Sequence, residues 1–146
     1  MIDLYTIGFT QSSAEHFFGR LRKAKIERLI DVRLNNVSQL AGFTKRDDLA
    51  FFTRELAGAD YIHELSLAPD EEALKSVRGG KVSWAEYERT YLALIKKRRV
   101  EKTLDRKLFA KRCVLLCSEA KPAQCHRRLA AEYLRDAWGG VAITHL

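Results

Sequence analysis

The chain has 146 residues, of which 47% are hydrophobic, and it carries a net charge of +7. This length suits one domain that buries a continuous core, and the lack of an apolar run of about 20 residues argues against a membrane span. The amino terminus lacks the basic and apolar blocks of a signal peptide, so we expect a cytoplasmic protein. The three cysteines, Cys113, Cys117 and Cys125, are an odd number clustered late in the chain, which predicts reduced thiols rather than a secreted disulfide framework.

The first third of the chain predicts a strand, a helix and a second strand. Ile2 to Ile7 is a short apolar strand that ends in a turn at Gly8. Ser12-x-x-Glu15 is a capping box, and the apolar residues after it repeat at helical spacing. Arg28 to Val32 is apolar enough to lie inside a sheet that is covered on both faces.

The middle of the chain predicts two helices around a third strand. Arg46 to Ala57 has helical spacing and Gly58 as its stop, and Asp60 to His63 is a strand candidate. We interpret residues 66–81 as a loop with one helical turn around Glu71 to Val77, and as a possible lid. Ser83-x-x-Glu86 is a second capping box, ahead of a strong apolar stripe.

The last third predicts a further helix, a strand, a helix and a closing strand. The strand Cys113 to Leu116 leads through a polar loop into a helix, and Val141 to Leu146 follows Gly139-Gly140 as the last strand. The alternating order predicts a three-layer α/β fold, with a mainly parallel five-stranded sheet and helices on both faces. We expect a single domain over residues 1–146.

The positive charge is concentrated in one segment, which we call the basic segment. Residues 96–112 hold nine Lys or Arg and two acidic residues, whereas basic and acidic residues balance in the rest of the chain. Such a face attracts polyanions and predicts nucleic-acid contacts at Lys96, Lys97, Arg98 and Arg99. The alternative is a solvated surface without a partner.

Polar residues follow the predicted strands, and parallel topology places all these exits on one edge of the sheet. Asn35, Asn36 and Ser38 are part of the cluster after the second strand. The candidate site on this rim comprises Gly8, Thr10, Asp31, Arg33, His63, Cys117, Glu119, Cys125, His126 and Arg127.

An anionic ligand is the first chemistry that this rim predicts. The helix expected to begin near Pro122 to Cys125 offers free backbone N–H groups, and Arg33 and Arg127 could bind a phosphate through paired hydrogen bonds. Gly8, Thr10 and His63 complete the predicted ligand-binding set. The alternative is a buried network in which the carboxylates of Asp31 and Glu119 pair with these arginines.

Three other chemistries are open. Cys125 lies near a helix start beside His126, which favours a reactive thiol with Cys117 as its resolving partner. Cys117, Cys125 and His126 could ligate a metal with His63 or Glu119, but the spacing matches no known zinc pattern, so we predict no metal or other cofactor. Asp31 and Glu119 could divide acid and base roles in cleaving a glycosidic bond.

Several short motifs together resemble one known family. These are Tyr5-Thr6-Ile7-Gly8, Leu29-Ile30-Asp31-Val32-Arg33, Tyr61-x-His63, and Leu116-Cys117-x-Glu119 with Cys125-His126-Arg127. In this order they are similar to the "domain of unknown function 488" family of bacterial and archaeal proteins. That family usually has His after the first-strand Gly, whereas this chain has Phe9. The departure implies that the first loop supplies no imidazole and that Phe9 packs against the ligand or the lid.

The leading hypothesis is therefore a pocket at the carboxyl ends of the strands that binds a phosphate-bearing ligand, either a nucleotide or a nucleic acid. The catalytic candidates in this pocket are Asp31, Glu119, Cys125 and His126. The alternatives are a thiol-dependent or redox enzyme that uses Cys125 and Cys117, and a non-catalytic binding or assembly module with a structural polar network.

Overall fold

A computed structural model describes residues 1–37, 42–119 and 123–146, and its centre is a five-stranded sheet. All strand pairs are parallel, and the order across the sheet is β3-β2-β4-β1-β5. The predicted parallel α/β fold is confirmed. The strands are β1 (Ile2–Gly8), β2 (Arg28–Asp31), β3 (Asp60–His63), β4 (Cys113–Cys117) and β5 (Val141–His145).

Six α-helices surround the sheet in the described part of the chain. They are α1 (Ala14–Lys23), α2 (Arg46–Ala57), α3 (Glu71–Arg78), α4 (Trp84–Lys97), α5 (Val100–Thr103) and α6 (His126–Trp138). Within the described residues, none of these helices combines the length and the apolar composition needed to cross a membrane.

Alternation along the strands sorts the core into two layers. In β4, Val114 and Leu116 pack with residues of α1 and α2, whereas Cys113, Leu115 and Cys117 pack with residues of α4 and α6. Successive side chains of a strand point to opposite faces, so both faces of β4 are buried. The same alternation determines which polar side chains at the strand ends lie on the same side of the sheet.

Two local expectations need correction at helix starts. The cap of α1 is Ser13, not Ser12, because Ser13 is extended and its hydroxyl accepts a hydrogen bond from the His16 amide. The segment predicted as a loop with one turn contains α3, an eight-residue helix that Asp70 caps through the Glu72 amide. By contrast, the predicted cap at Ser83 and the stop at Gly58 are confirmed.

The basic segment also departs from the expected single helix. It contains the end of α4, the short helix α5 and a 3-10 turn over Arg106–Phe109. The helix ends are fixed by packing, since Val100, Leu104 and Phe109 are buried in the α4–α6 layer. Ser38 and Pro122, which the sequence placed at the rim, lie outside the described residues.

Candidate functional site

A pocket of about 600 Å³ opens at the carboxyl ends of the strands, where parallel α/β sheets bind ligands. It is lined by the ends of β2 and β4 and by the start of α6. Five predicted residues lie in its lining: Arg33, Cys117, Glu119, Cys125 and His126. This volume is in the range of small-molecule sites.

The opposite wall comes from α3, which lies in the segment predicted as a possible lid, and from α4, which the sequence did not predict as part of the site. Leu74, Val77 and Arg78 line the pocket from α3, and Trp84 and Tyr87 line it from α4. The two aromatic ring centroids are 5.1 Å apart. The apolar spacing in α3 could have predicted a helix in this segment, but the nearby Pro69 and Gly79-Gly80 favoured a loop. That this segment moves as a lid stays a prediction.

Arg33 is held rigidly beside the pocket by Asp31. Its Nε and Nη2 atoms donate to the two Asp31 carboxylate oxygens at 2.9 and 2.8 Å, and Nη2 also donates to the Thr44 carbonyl at 2.8 Å. The guanidinium carbon lies 5.3 Å from the centre of the Phe9 ring. Phe9 therefore packs against Arg33, which is a different contact from the expected one with a ligand or lid.

Asp31 lies behind Arg33 and does not line the pocket. Its carboxylate also accepts hydrogen bonds from the Tyr61 hydroxyl at 2.6 Å and the Asn36 amide at 3.3 Å. Burial alone would raise its pKa, but the hydrogen bonds and charge of Arg33, with the Tyr61 bond, hold the pKa below its usual value. A carboxylate that is ionised, and whose two oxygens already accept several hydrogen bonds, can position Arg33 but is poorly suited to proton transfer. The predicted acid–base pairing of Asp31 with Glu119 across one pocket does not form.

Four of the predicted ligand-binding residues make structural contacts within the protein beside the pocket. His63 Nε2 bonds the Arg33 carbonyl at 2.7 Å, and Thr10 donates to the Ser118 carbonyl at 2.5 Å. Arg127 is fully buried and donates through Nη1 to the Glu119 carbonyl, next to Gly8. None of Gly8, Thr10, His63 and Arg127 lines the pocket. Gly8, Thr10 and Arg127 contact the residues that follow β4, and His63 contacts the segment that follows β2. The structure therefore gives no support to the anion contact expected from Arg127.

Cys117 and Cys125 meet at the base of the pocket, where their sulfur atoms are in direct contact as in a disulfide, and the expectation of reduced thiols stays a prediction. Cys117 is the last residue of β4, and Cys125 is the N-cap residue of α6. Cys113 is on the same face but remains a buried free thiol, and burial raises its pKa to about 11. The prediction that Cys113 is a core residue is confirmed.

His126 is the first residue of α6 and is held in one orientation. Its Nε2 lies 2.8 Å from the Val32 carbonyl, and its ring meets Tyr91 edge-on at 5.4 Å. A carbonyl only accepts, so Nε2 carries the proton and the lone pair of the neutral ring is on Nδ1. Burial lowers the pKa of His126 to about 4, which keeps the ring neutral near pH 7.

No residue of the basic segment lines the pocket. Arg28, at the start of β2, donates to the Leu108 carbonyl, and Trp138, at the end of α6, packs on Phe109. These contacts place the second half of the segment at the amino ends of the strands. Arg98 donates to the carbonyls of Ser66 and Ala68 at 2.9 and 2.7 Å, while Lys96, Lys97 and Arg99 are exposed.

In comparisons with known proteins, one family model matches the chain, but no individual relative does. No curated protein and no solved structure matches the chain at a significant level. The model of the family described as "Domain of unknown function DUF488" matches residues 13–134, which include every predicted site residue except Gly8 and Thr10. This match spans well over half of the 146 residues, and the chain therefore belongs to the DUF488 family.

Proposed function

We propose that the pocket binds a small ligand that joins a phosphate group to an aromatic ring, as a nucleotide does. One observation carries the proposal. Arg33 is 3% exposed and lines the pocket, and its Nη1 atom has no hydrogen-bond partner among the described residues. A buried guanidinium with an unused donor is costly unless a ligand or water completes its hydrogen bonds.

Charge supports an anion as that ligand. The charge of Arg33 is largely offset by Asp31, so net attraction must come from elsewhere. Arg78 lies in the pocket lining and makes no ion pair among the described residues. The start of α6 faces the same space and adds a partial positive charge. Together these groups form a polar end suited to phosphate.

The other end of the pocket supports a planar apolar group. Trp84 and Tyr87 offer aromatic surface, and Leu74 and Val77 add aliphatic surface. Pockets that pair apolar walls with a few fixed polar groups bind ligands with both characters. A ring stacked near Trp84, with its phosphate toward Arg33 and Arg78, satisfies both ends.

The test is calorimetric titration of the wild-type chain with nucleoside monophosphates, the matching nucleosides and inorganic phosphate. We expect the nucleotides to bind most tightly, and Arg78→Gln to weaken them by about tenfold or more, since a hydrogen bond to a charged group contributes about 1.5–3 kcal/mol. Arg89→Gln, an exposed change on α4 outside the pocket, is the control. Equal affinities of the Arg78 and Arg89 variants would contradict the proposal.

Nucleic acid is the other phosphate-bearing ligand, and the same variants distinguish it. Binding that depends on the basic segment should weaken in Lys96→Gln/Lys97→Gln and fall steeply with salt, whereas Arg78→Gln should leave it unchanged. Oligonucleotide binding with this pattern, together with no nucleotide binding, would replace the pocket proposal.

Dithiol–disulfide exchange is a second candidate, favoured by the contact between Cys117 and Cys125 in the pocket lining. In one turnover the two thiols would become one disulfide, while a substrate disulfide takes up two electrons and two protons and becomes two thiols. After equilibration in glutathione buffers of graded potential, we expect alkylation and mass analysis to show Cys117 and Cys125 changing together. Cys113 serves as the internal control because its thiol stays reduced. Labelling of all three cysteines at every potential would exclude this function.

A further inference from the structure

We infer that Cys117, Cys125 and His126 form a binding site for a thiophilic divalent cation of the zinc class when both cysteines are reduced. The two sulfur atoms and one ring nitrogen all lie within 4.8 Å of one another, and all three residues are buried. This inference does not depend on the nucleotide proposal, because it concerns the part of the pocket lined by Cys117, Cys125 and His126.

The backbone places the three ligands on two rigid elements. Cys117 is the last residue of β4, and Cys125 and His126 are the cap and first residue of α6. Their Cα arrangement, with 7.3 Å between those of Cys117 and Cys125, lets both sulfurs reach an ion between them at the usual Zn–S length of about 2.3 Å. Adjacent Cys and His can share an ion here because their ligand atoms lie within 4.8 Å of each other.

His126 is prepared as a ligand by its hydrogen bond to the Val32 carbonyl. Metal-binding histidines commonly donate their second ring N–H to a carbonyl, which fixes the ring and leaves the other nitrogen for the ion. This assigns Nδ1 as the ligand atom. The contact with Tyr91 holds the ring from the side.

Arg127 supplies a positive group beside the sulfur of Cys117. Its Nη1 lies 3.7 Å from the Cys117 Sγ atom, at hydrogen-bond distance for sulfur. A buried guanidinium favours the thiolate over the thiol, and the thiolate is the form that binds metal. Binding of one divalent ion would therefore release one proton from each of the two cysteines that is still a thiol.

The ligand set favours zinc over harder cations and leaves one position open. Two thiolates and one imidazole suit Zn²⁺, whereas Mg²⁺ and Ca²⁺ prefer oxygen ligands. Three protein ligands are typical of catalytic zinc, in which a water or substrate takes the fourth position. All three ligands line the 600 Å³ pocket, so the fourth position faces the space where a ligand would enter.

The experiment uses the full chain, reduced with a phosphine and titrated with Co²⁺ under anaerobic conditions. We expect one Co²⁺ per chain, with the visible bands of tetrahedral cobalt and a thiolate-to-cobalt charge-transfer band, both lost on adding one equivalent of Zn²⁺. Cys117→Ser, Cys125→Ser and His126→Ala should each weaken cobalt binding by at least about tenfold. Cys113→Ser, on the same strand but outside the cluster, should bind cobalt like the wild type.

A second readout on the wild type avoids the risk that a variant fails to fold. In reduced protein, Zn²⁺ should protect Cys117 and Cys125 from alkylation at least about tenfold relative to Mg²⁺. A lack of the charge-transfer band at excess Co²⁺ in reduced wild-type protein would overturn the inference. So would equal labelling of these cysteines with and without Zn²⁺.

Discussion

Replacing Asp31 with Asn is expected to lower the free energy of unfolding by about 3–5 kcal/mol at pH 7, because it leaves Arg33 as a buried charge without its counter-ion. The ion pair is nearly inaccessible, with side-chain exposures of 3% for Arg33 and 0% for Asp31. Urea unfolding followed by circular dichroism measures the change. Asp60→Asn is the control, since this carboxylate is 53% exposed, and its loss should cost about 1 kcal/mol or less.

The pH dependence separates this ion pair from simple packing. The folded-state pKa of Asp31 is below its unfolded value, so the carboxylate stabilises the fold above the unfolded pKa of about 3.9 and this stabilisation is lost as pH falls through the folded pKa. The wild type should therefore lose stability on acidification more steeply than Asp31→Asn, and their difference should shrink. A constant difference between pH 7 and pH 3 would show that the cost of the substitution is steric.

The layered fold could be predicted from the sequence because each element carries a local signal. The alternation of apolar runs and capped helices gives a parallel sheet, and Gly58 and Ser83 mark a helix end and a helix start that the structure confirms. Parallel topology then brings the loops after β2 and β4 to one edge. That reasoning placed Arg33, Glu119 and Cys125 in the pocket lining.

The directions of the side chains at that edge could not be predicted from the order of the elements. Residues that lie at the same edge of a sheet can still point to opposite faces of it. Asp31 lies one residue after Ile30, which packs in the α4–α6 layer, so its side chain points to the other side of the sheet. Arg127 is buried by packing that only the three-dimensional fold specifies. The contribution of α3 was missed because a short helix with weak periodicity depends on α4 for its stability.

The loop after β4 depends on Gly8 in a way that sequence alone does not reveal. A Cβ atom at Gly8 would overlap the Glu119 carbonyl oxygen and lie 2.7 Å from the Arg127 Nη1 atom. That carbonyl accepts the hydrogen bond from Arg127, so it cannot move away without breaking a hydrogen bond of a buried guanidinium. Glycine is therefore required here for space rather than for an unusual backbone conformation.

We expect Gly8→Ala to destabilise the fold by at least about 3 kcal/mol, the upper range for overpacking a rigid site. Gly19→Ala is the matched control, because a Cβ at Gly19 meets nothing within 4 Å and this exposed position lies inside α1. There the same change should stabilise by about 0.5–1 kcal/mol through higher helix propensity. Thermal and urea unfolding of both variants give the comparison. Equal stabilities of Gly8→Ala and Gly19→Ala would show that the loop after β4 can shift to accommodate the added side chain. In that case Arg127 would not fix the pocket wall that carries Glu119 and Cys117.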